Sequence, residues 1–269
     1  MIPDTQIKPG VPTEFLDWIG RYILDRRPDV IVHLGDHWDM PSLSSYDKGK
    51  LQFEGRRYKA DVVAGNEGLA LLDHAVEQFN YGRRRRGAEE YTPRKVLLRG
   101  NHEHRIQRAV EGAGEFEGLI GYHDLDTRDW EVHDFLEPVL IDGVWYAHYF
   151  VNPMSGKPIG GMCATRLKTI GHSFTMGHQQ VLDYALRPVA SSMHHGLIAG
   201  ASYLHDEDYK GPQANNHWRG IIVKHEVHDG AYDPMFVSMD FLCRKYEGVP
   251  LDVYLREQWA NLRHARWQS

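Results

Sequence analysis

The stretch VIVHLGDHWDM, residues 30–40, decides the reading of this chain. Val30 to Leu34, interrupted by His33, is a mainly apolar, β-branched run of strand character. It stops at Gly35 and is followed by two carboxylates three positions apart, Asp36 and Asp39. Like charges at the edge of an apolar run need either water or a cation. The same form recurs twice. In KVLLRGNHEHR, residues 95–105, the apolar run ends at Leu98 and Gly100-Asn101-His102-Glu103 follows. At the start, Ile2-Pro3 leads into Asp4-Thr5-Gln6. Strand C-termini of an open α/β sheet share one edge, where ligands sit, so Asp4, Asp36 and Asn101 are expected to converge. Downstream, His148 follows the strand VWYA and His178 follows the strand-like SFTMG. A mixture of carboxylate, imidazole and amide oxygen suits borderline ions such as Mn, Fe or Zn. One carboxylate can bridge two such ions about 3.5–4 Å apart.

The rest of the chain frames this constellation. Its 269 residues suffice for one large domain. At 42% hydrophobic and 25% charged it has the balance of a water-soluble globular protein, and a formal charge of −6 argues against a global preference for polyanions. No apolar run reaches membrane-span length and MIPDTQIKPG is not a signal pattern, so a cytoplasmic protein is expected. The two cysteines, Cys163 and Cys243, fit a reducing compartment. Residues 13–26 carry apolar positions at helical spacing, with Thr13 as N-cap. A long helix is expected over 58–80 and a helix from about 103, with a terminal helix over 250–267. Strands are expected in VWYAHYFV, GHSFTMGH, SMHHGLIAG, RGIIVKHEVHDG and PMFVSMDFL. Strands alternating with helices, then many strands, predict a layered α/β/β/α sandwich of two mixed sheets flanked by helices. A single domain is expected over 1–269, with a loop insert at about 41–58 and a basic loop at 82–94.

D-x-[HQ], G-D-x-x-D, G-N-H-E, a lone histidine and G-H, in that order from Asp4 to His178, resemble the calcineurin-like metallophosphoesterase superfamily, and the style of the chain is similar to that of metallophosphoesterases from tailed phages. The resemblance implies two divalent ions, Mn, Fe, Zn or Mg, and attack of a metal-bound hydroxide on phosphorus. It assigns Asp36 to bridge the ions, Asn101, His148 and His178 to the second site, and Asp4 and Gln6 to the first. His102 would stabilise or protonate the leaving oxygen and Asp39 would orient it. Host cytoplasm is the expected location for a phage-encoded chain. The oligomeric state is left open.

Two departures touch the first site. Gln6 stands where histidine is commoner, and the last motif reads Gly177-His178-Gln179-Gln180, so Gln180 replaces a histidine ligand. A neutral amide oxygen is a weaker ligand than imidazole for Zn or Fe, and the first ion is expected to be the weaker one. Only three residues precede Asp4, so its strand is very short or the start lies upstream.

Other residues have competing readings. Arg105 is read as a substrate phosphate contact or a helix-surface arginine. Arg83 to Arg86 are read as a phosphate-backbone clamp or a solvated run. Arg99 is expected to point away from the site. His37 is a substrate contact or plain loop, and His123 and Asp124 are structural or rim residues. His194, His195, His225 and His228 look like a second cluster on paper but fit alternation on exposed strands, and His172 fits a strand. Trp18, Trp145 and Trp259 are expected in the core. Tyr46, Lys48 and Lys50 in the insert are candidates to touch a phosphate-bearing substrate. A metal-dependent phosphoesterase is the leading functional expectation, with a phosphodiester (nucleic acid or a nucleotide derivative) ahead of a phosphomonoester or a nucleotide pyrophosphate. A non-catalytic interaction scaffold is the alternative.

Overall fold

The chain is seen in a computed structural model that describes residues 1–45, 54–207, 213 and 215–266, with side chains described to residue 258. Strands β1 (Val30–His33), β2 (Arg94–Leu98) and β3 (Glu131–His133) form a parallel sheet in that order. Helix α1 (Phe15–Arg26) leads into β1, and the 27-residue helix α2 (Tyr58–Arg84) connects β1 to β2. Parallel neighbours require such a crossover. The register pairs Val30 with Arg94 and His33 with Leu97, so both strands deliver their following loops to the same edge.

A second, mixed sheet has the order β4-β5-β6-β8-β7. Its strands are β4 (Val139–Ile141), β5 (Val144–Ala147), β6 (Phe174–Met176), β7 (Leu182–Pro188) and β8 (Met193–Ala199). β5 and β6 run parallel, and helix α4 (Cys163–Ile170) lies between them in sequence. Helix α3 (His104–Gly112) follows β2. The hairpin β9 (Gly220–His228) and β10 (Ala231–Ser238) leads into α5 (Met239–Glu247) and α6 (Leu251–Arg266).

Alternation along the strands sorts the core. Val32, Leu34, Val96 and Leu98 pack against Val139, Val144, Tyr146, Leu197 and Ala199 of the second sheet. Ile31 and Leu97 join Phe15, Trp18, Ile19, Leu69, Leu72 and Leu242 from the helices. Cys163 and Leu167 of α4 cover Phe174, Met176 and Ile198. Each fully buried aliphatic or aromatic side chain contributes about 1.5–3 kcal/mol. Trp18 is completely buried, stands edge-on to Tyr254 at 5.2 Å, and donates its indole N–H to Glu247 at 2.7 Å. Trp145 is partly buried against the α4 cluster, and the side chain of Trp259 lies outside the described residues.

The architecture is α/β with mixed sheets, and several boundaries differ from expectation. PMFVSMDFL is a strand only to Ser238; Met239 starts a helix because the Ser238 hydroxyl accepts the Phe241 amide as an N-cap. The first helix is flanked by Glu14 with no side-chain cap bond, so Thr13 does not cap it as expected. The basic loop begins later, because α2 runs through Arg84. The insert starts with a short 3-10 turn, Pro41–Leu43, and Tyr46, Lys48 and Lys50 lie outside the described residues. The N-terminal strand is reduced to isolated bridges, Ile2 to His33 and Ile7 to Trp38. β3, β4, β7 and α4 have no counterpart in the expected elements. Among the described residues, no helix is long and apolar enough to cross a membrane.

Candidate metal centre

The loops after β1, β2, β5 and β6 meet at one edge. Asp36, His148 and His178 each offer a ligand atom within 4.8 Å of the others, and among the described residues this is the one such group of histidine, cysteine and carboxylate side chains. His148 Nε2 lies 3.3 Å from Asp36 Oδ2 and 3.0 Å from Asn101 Oδ1. Its Nδ1–H donates to the Leu34 carbonyl at 2.8 Å. That bond fixes the tautomer and turns the Nε2 lone pair toward two oxygens, the arrangement usual for a metal-bound imidazole. Three acceptors converging without a donor repel one another unless a proton or a cation lies between them.

Hydrogen bonding orients the carboxylates for the same purpose. Asp36 Oδ1 accepts the His102 amide at 2.9 Å, which leaves Oδ2 for His148. Asp4 Oδ1 accepts the His178 amide at 3.1 Å, while Asp4 Oδ2 and Gln6 Oε1 are buried with no hydrogen-bond partner among the described residues. An orphaned buried carboxylate oxygen costs several kcal/mol, and a cation offsets that cost. The residues therefore fit a divalent ion at Asp36, Asn101, His148 and His178, with Asp4 and Gln6 adjoining.

The backbone is distorted around these groups. Asp4, Gln6, Asp36, His178 and Gln180 all have positive φ, between 26° and 67°. Such conformations cost of order 1–3 kcal/mol each for non-glycine residues and cluster at functional sites. Two glycines make room: a Cβ on Gly100 would sit 2.1 Å from Asp36 Oδ1, and one on Gly177 would sit 2.4 Å from Asp4 Oδ1.

Glu103 holds the site loop from beneath. Its fully buried carboxylate accepts the amides of Asp36, His37, Trp38 and Gly100 at 2.6–3.0 Å. A second buried chain ties the N-terminal segment to the same loop. The Gly35 amide donates to His33 Nδ1, His33 Nε2–H to the Thr5 hydroxyl, Thr5 to His37 Nδ1, and His37 Nε2–H to the Gly65 carbonyl. Every donor finds one acceptor, and His37 is structural.

Charge and burial divide the titrations. Burial raises Asp4, opposed by His148. Burial would raise Asp36 as well, but His102 and His148 hold it well below the usual carboxylate range. His148 is pushed up to about 9, because Asp36 outweighs the desolvation that opposes its charge. Burial raises Glu103, with the Asp36 charge adding to it.

Beside the metal residues, His102 Nδ1–H donates to Asp39 Oδ1 at 2.6 Å. Its Nε2 lies 3.7 Å from Asp36 Oδ2 and 3.1 Å from Arg105 Nη2. The arginine contact favours a bare Nε2; the two carboxylates raise the His102 pKa against desolvation. Opposed influences of this kind let one nitrogen both take and give a proton. Arg105 is half-buried and commits Nη1 to the Asp39 carbonyl at 2.7 Å, so its fork is not free. Gln180 Oε1 accepts the Tyr203 hydroxyl at 2.8 Å.

Two clefts adjoin at His102. One of about 440 Å³ is lined by Asp36, Asn101, His178, Gln179, Gln180 and Asn216, among others. The other, about 1080 Å³, is lined by Asp39, Arg105, Lys8, Arg56, His205 and Glu207, among others. Lys8, His205 and Glu207 carry no motif, and the Lys8–Glu207 contact spans 199 positions, so no local pattern joins them.

The remaining candidates lie elsewhere. Arg99 pairs with Asp134 and lies over the Tyr122 ring. Asp124 accepts the Tyr58 hydroxyl, and the exposed His123 stands beside it. His172 stacks on His194, His195 meets Tyr184, and His225 and His228 are exposed on β9. Arg83 to Arg86 precede β2 and therefore sit at the sheet edge opposite the metal centre, on the order of 20 Å away at about 3.3 Å per residue.

Neither protein-family models nor curated proteins give a match to this chain.

Proposed function

We propose that the chain is a metal-dependent phosphoric ester hydrolase of the calcineurin-like type, acting on a phosphodiester. The observation that carries the reading is the meeting of Asp36 Oδ2, Asn101 Oδ1 and His148 Nε2 around one point, which a proton on His148 holds together in the metal-free protein and a cation can take over, next to a histidine bonded to its own carboxylate. The packing of one sheet on the other, with helices outside both, supports the four-layer metallophosphoesterase sandwich.

Asp36, Asn101, His148 and His178 would hold one ion, and Asp4, Gln6 and Asp36 a second, with Mn the favoured metal for so oxygen-rich a set. Bound cations would supply an activated water at neutral pH and neutralise phosphoryl oxygens. The first site is the weaker, since Gln6 is a neutral ligand and the Gln180 oxygen is engaged by Tyr203. Calorimetric titration should give two unequal affinities; two equal tight Zn sites contradict this.

His102 protonates the leaving oxygen from Nε2 while Asp39 holds Nδ1. Because His102 walls both clefts, a substrate with phosphorus on the metal side directs its leaving group into the larger one. The described lining of the smaller cleft contains no lysine or arginine. A monoester dianion needs such cations for its extra charge, and a diester monoanion does not. That favours the diester and weakens the monoesterase and pyrophosphatase readings.

The test is hydrolysis of bis-p-nitrophenyl phosphate and p-nitrophenyl phosphate with added Mn. Faster turnover of the diester is expected, and on a dinucleoside monophosphate, whose leaving group is an alkoxide, His102→Ala should lower turnover by about 10²–10⁴ while leaving the fold intact. No turnover of either compound with metal bound would support the interaction-scaffold reading instead.

A further inference from the structure

We propose that Lys8 and Glu207 are positioning residues that act on His102 through Asp39; this rests on the hydrolase reading above. Asp39 has two oxygens. Oδ1 takes the His102 Nδ1–H at 2.6 Å, and Oδ2 takes Lys8 Nζ at 2.9 Å. The same Nζ donates to Glu207 Oε1 at 2.8 Å, and that oxygen also accepts His205 Nε2–H at 2.9 Å. The side chains are 11%, 7%, 20% and 9% exposed for His102, Asp39, Lys8 and Glu207, so water competes little along the chain.

Both ends of the chain are anchored. The Asp39 amide donates to the Ile7 carbonyl at 3.0 Å, which ties the segment before Lys8 to the Asp39 loop. Glu207 is clamped by Asn215, which accepts the Glu207 amide and donates to the Glu207 carbonyl, each at 2.9 Å. Lys8 therefore sits between two fixed carboxylates. Its ammonium sets the plane of the Asp39 carboxylate, and that plane sets the imidazole. If Glu207 loses its charge, Lys8 is drawn wholly onto Asp39. Asp39 then becomes a weaker acceptor for His102, and the ring gains freedom to turn away from the leaving oxygen. A misplacement of about 1 Å in a reacting group can cost 10²-fold in rate.

The consequence is selective. A nitrophenolate leaves without a proton, whereas an alkoxide needs one, so only the second reaction depends on where His102 points. Glu207→Gln should lower kcat about tenfold or more on a dinucleoside monophosphate, whose leaving group is an alkoxide. It should lower kcat less than about threefold on bis-p-nitrophenyl phosphate. KM for both and the bound Mn should be unchanged. Lys8→Arg, which keeps the cation, should stay close to wild type, and Lys8→Met should reproduce the Glu207→Gln pattern. A second readout needs no substrate. The short His102–Asp39 bond should give a downfield proton resonance, absent in His102→Ala, that moves upfield in Glu207→Gln. Equal loss on both substrates, or no loss on either, together with an unmoved resonance, would make the Lys8 and Glu207 pairs merely structural and overturn the proposal. Wild-type protein that turns over neither substrate would instead refute the hydrolase reading, and the resonance would still decide whether Glu207 acts on His102.

Discussion

At the scale of the residue, Glu103 shows how a carboxylate can hold the loops of a candidate metal site from beneath, without itself belonging to the possible ligand group. Its two oxygens collect four backbone amides from the loops that carry Asp36 and Asn101. Hydrogen bonds to a charged acceptor contribute about 1.5–3 kcal/mol each, and breaking such a buried cluster leaves its donors unsatisfied. Glu103→Ala should therefore lower stability by about 3–5 kcal/mol in denaturant unfolding, with Asp36 displaced and metal affinity reduced. A change below about 1 kcal/mol would mean that the amides find water instead. His148 gives a second prediction. It is pushed up to about 9 by Asp36, so without metal it carries a proton at pH 7. A cation must displace that proton. Metal titration at pH 7 in buffers of different ionisation enthalpy should show close to one proton released from His148, shrinking as pH rises past 9. A His148→Ala variant should bind metal at least tenfold more weakly, and no buffer dependence in the wild type would contradict the assignment.

At the scale of the element, the buried chain from Gly35 through His33, Thr5 and His37 to Gly65 joins the N-terminal segment, β1 and α2. It works only with neutral imidazoles. Burial lowers His37 to about 4, well under the ordinary value near 6.5. The unfolded chain thus binds a proton that the folded chain refuses between those limits. The His37 contribution is fully present above pH 6.5 and is lost as pH falls from about 6.5 to 4, amounting to roughly 3 kcal/mol. Unfolding of the metal-free protein should show this slope, and His37→Asn should flatten it; identical slopes would refute it. The elements also show what the sequence reveals. The apolar runs ending at Asp36 and Asn101 were legible because strand and candidate ligand are adjacent in sequence. The helix at Met239 was not, since VSMDFL continues an alternation of large apolar residues. The Ser238 cap with Asp240 in the first turn was the available signal. Short strands such as β3 and β4, three residues each, carry too few positions for a period to show.

At the scale of the whole molecule, the site is a product of contacts far apart in sequence. His148 meets Leu34 across 114 positions, and Lys8 meets Glu207 across 199. The histidines and carboxylates of the motifs were readable one by one, but the Lys8–Glu207 extension was not, because neither residue lies in a recurring pattern. Topology also separates the arginine run from the chemistry, since Arg83 to Arg86 enter β2 from the edge opposite the metal centre. Replacing all four by serine should leave turnover of bis-p-nitrophenyl phosphate within about twofold, because screening over 20 Å at physiological salt removes their field. A tenfold loss would place those arginines at the site.

The central claim is that the loops after β1, β2, β5 and β6 form a cation site. Anomalous diffraction from crystals soaked in Mn tests it directly. The account predicts a peak within ligand distance of Asp36, Asn101, His148 and His178. Density with no anomalous peak there, and His148 Nε2–H bonded to Asp36 as an ordinary ion pair, would contradict it.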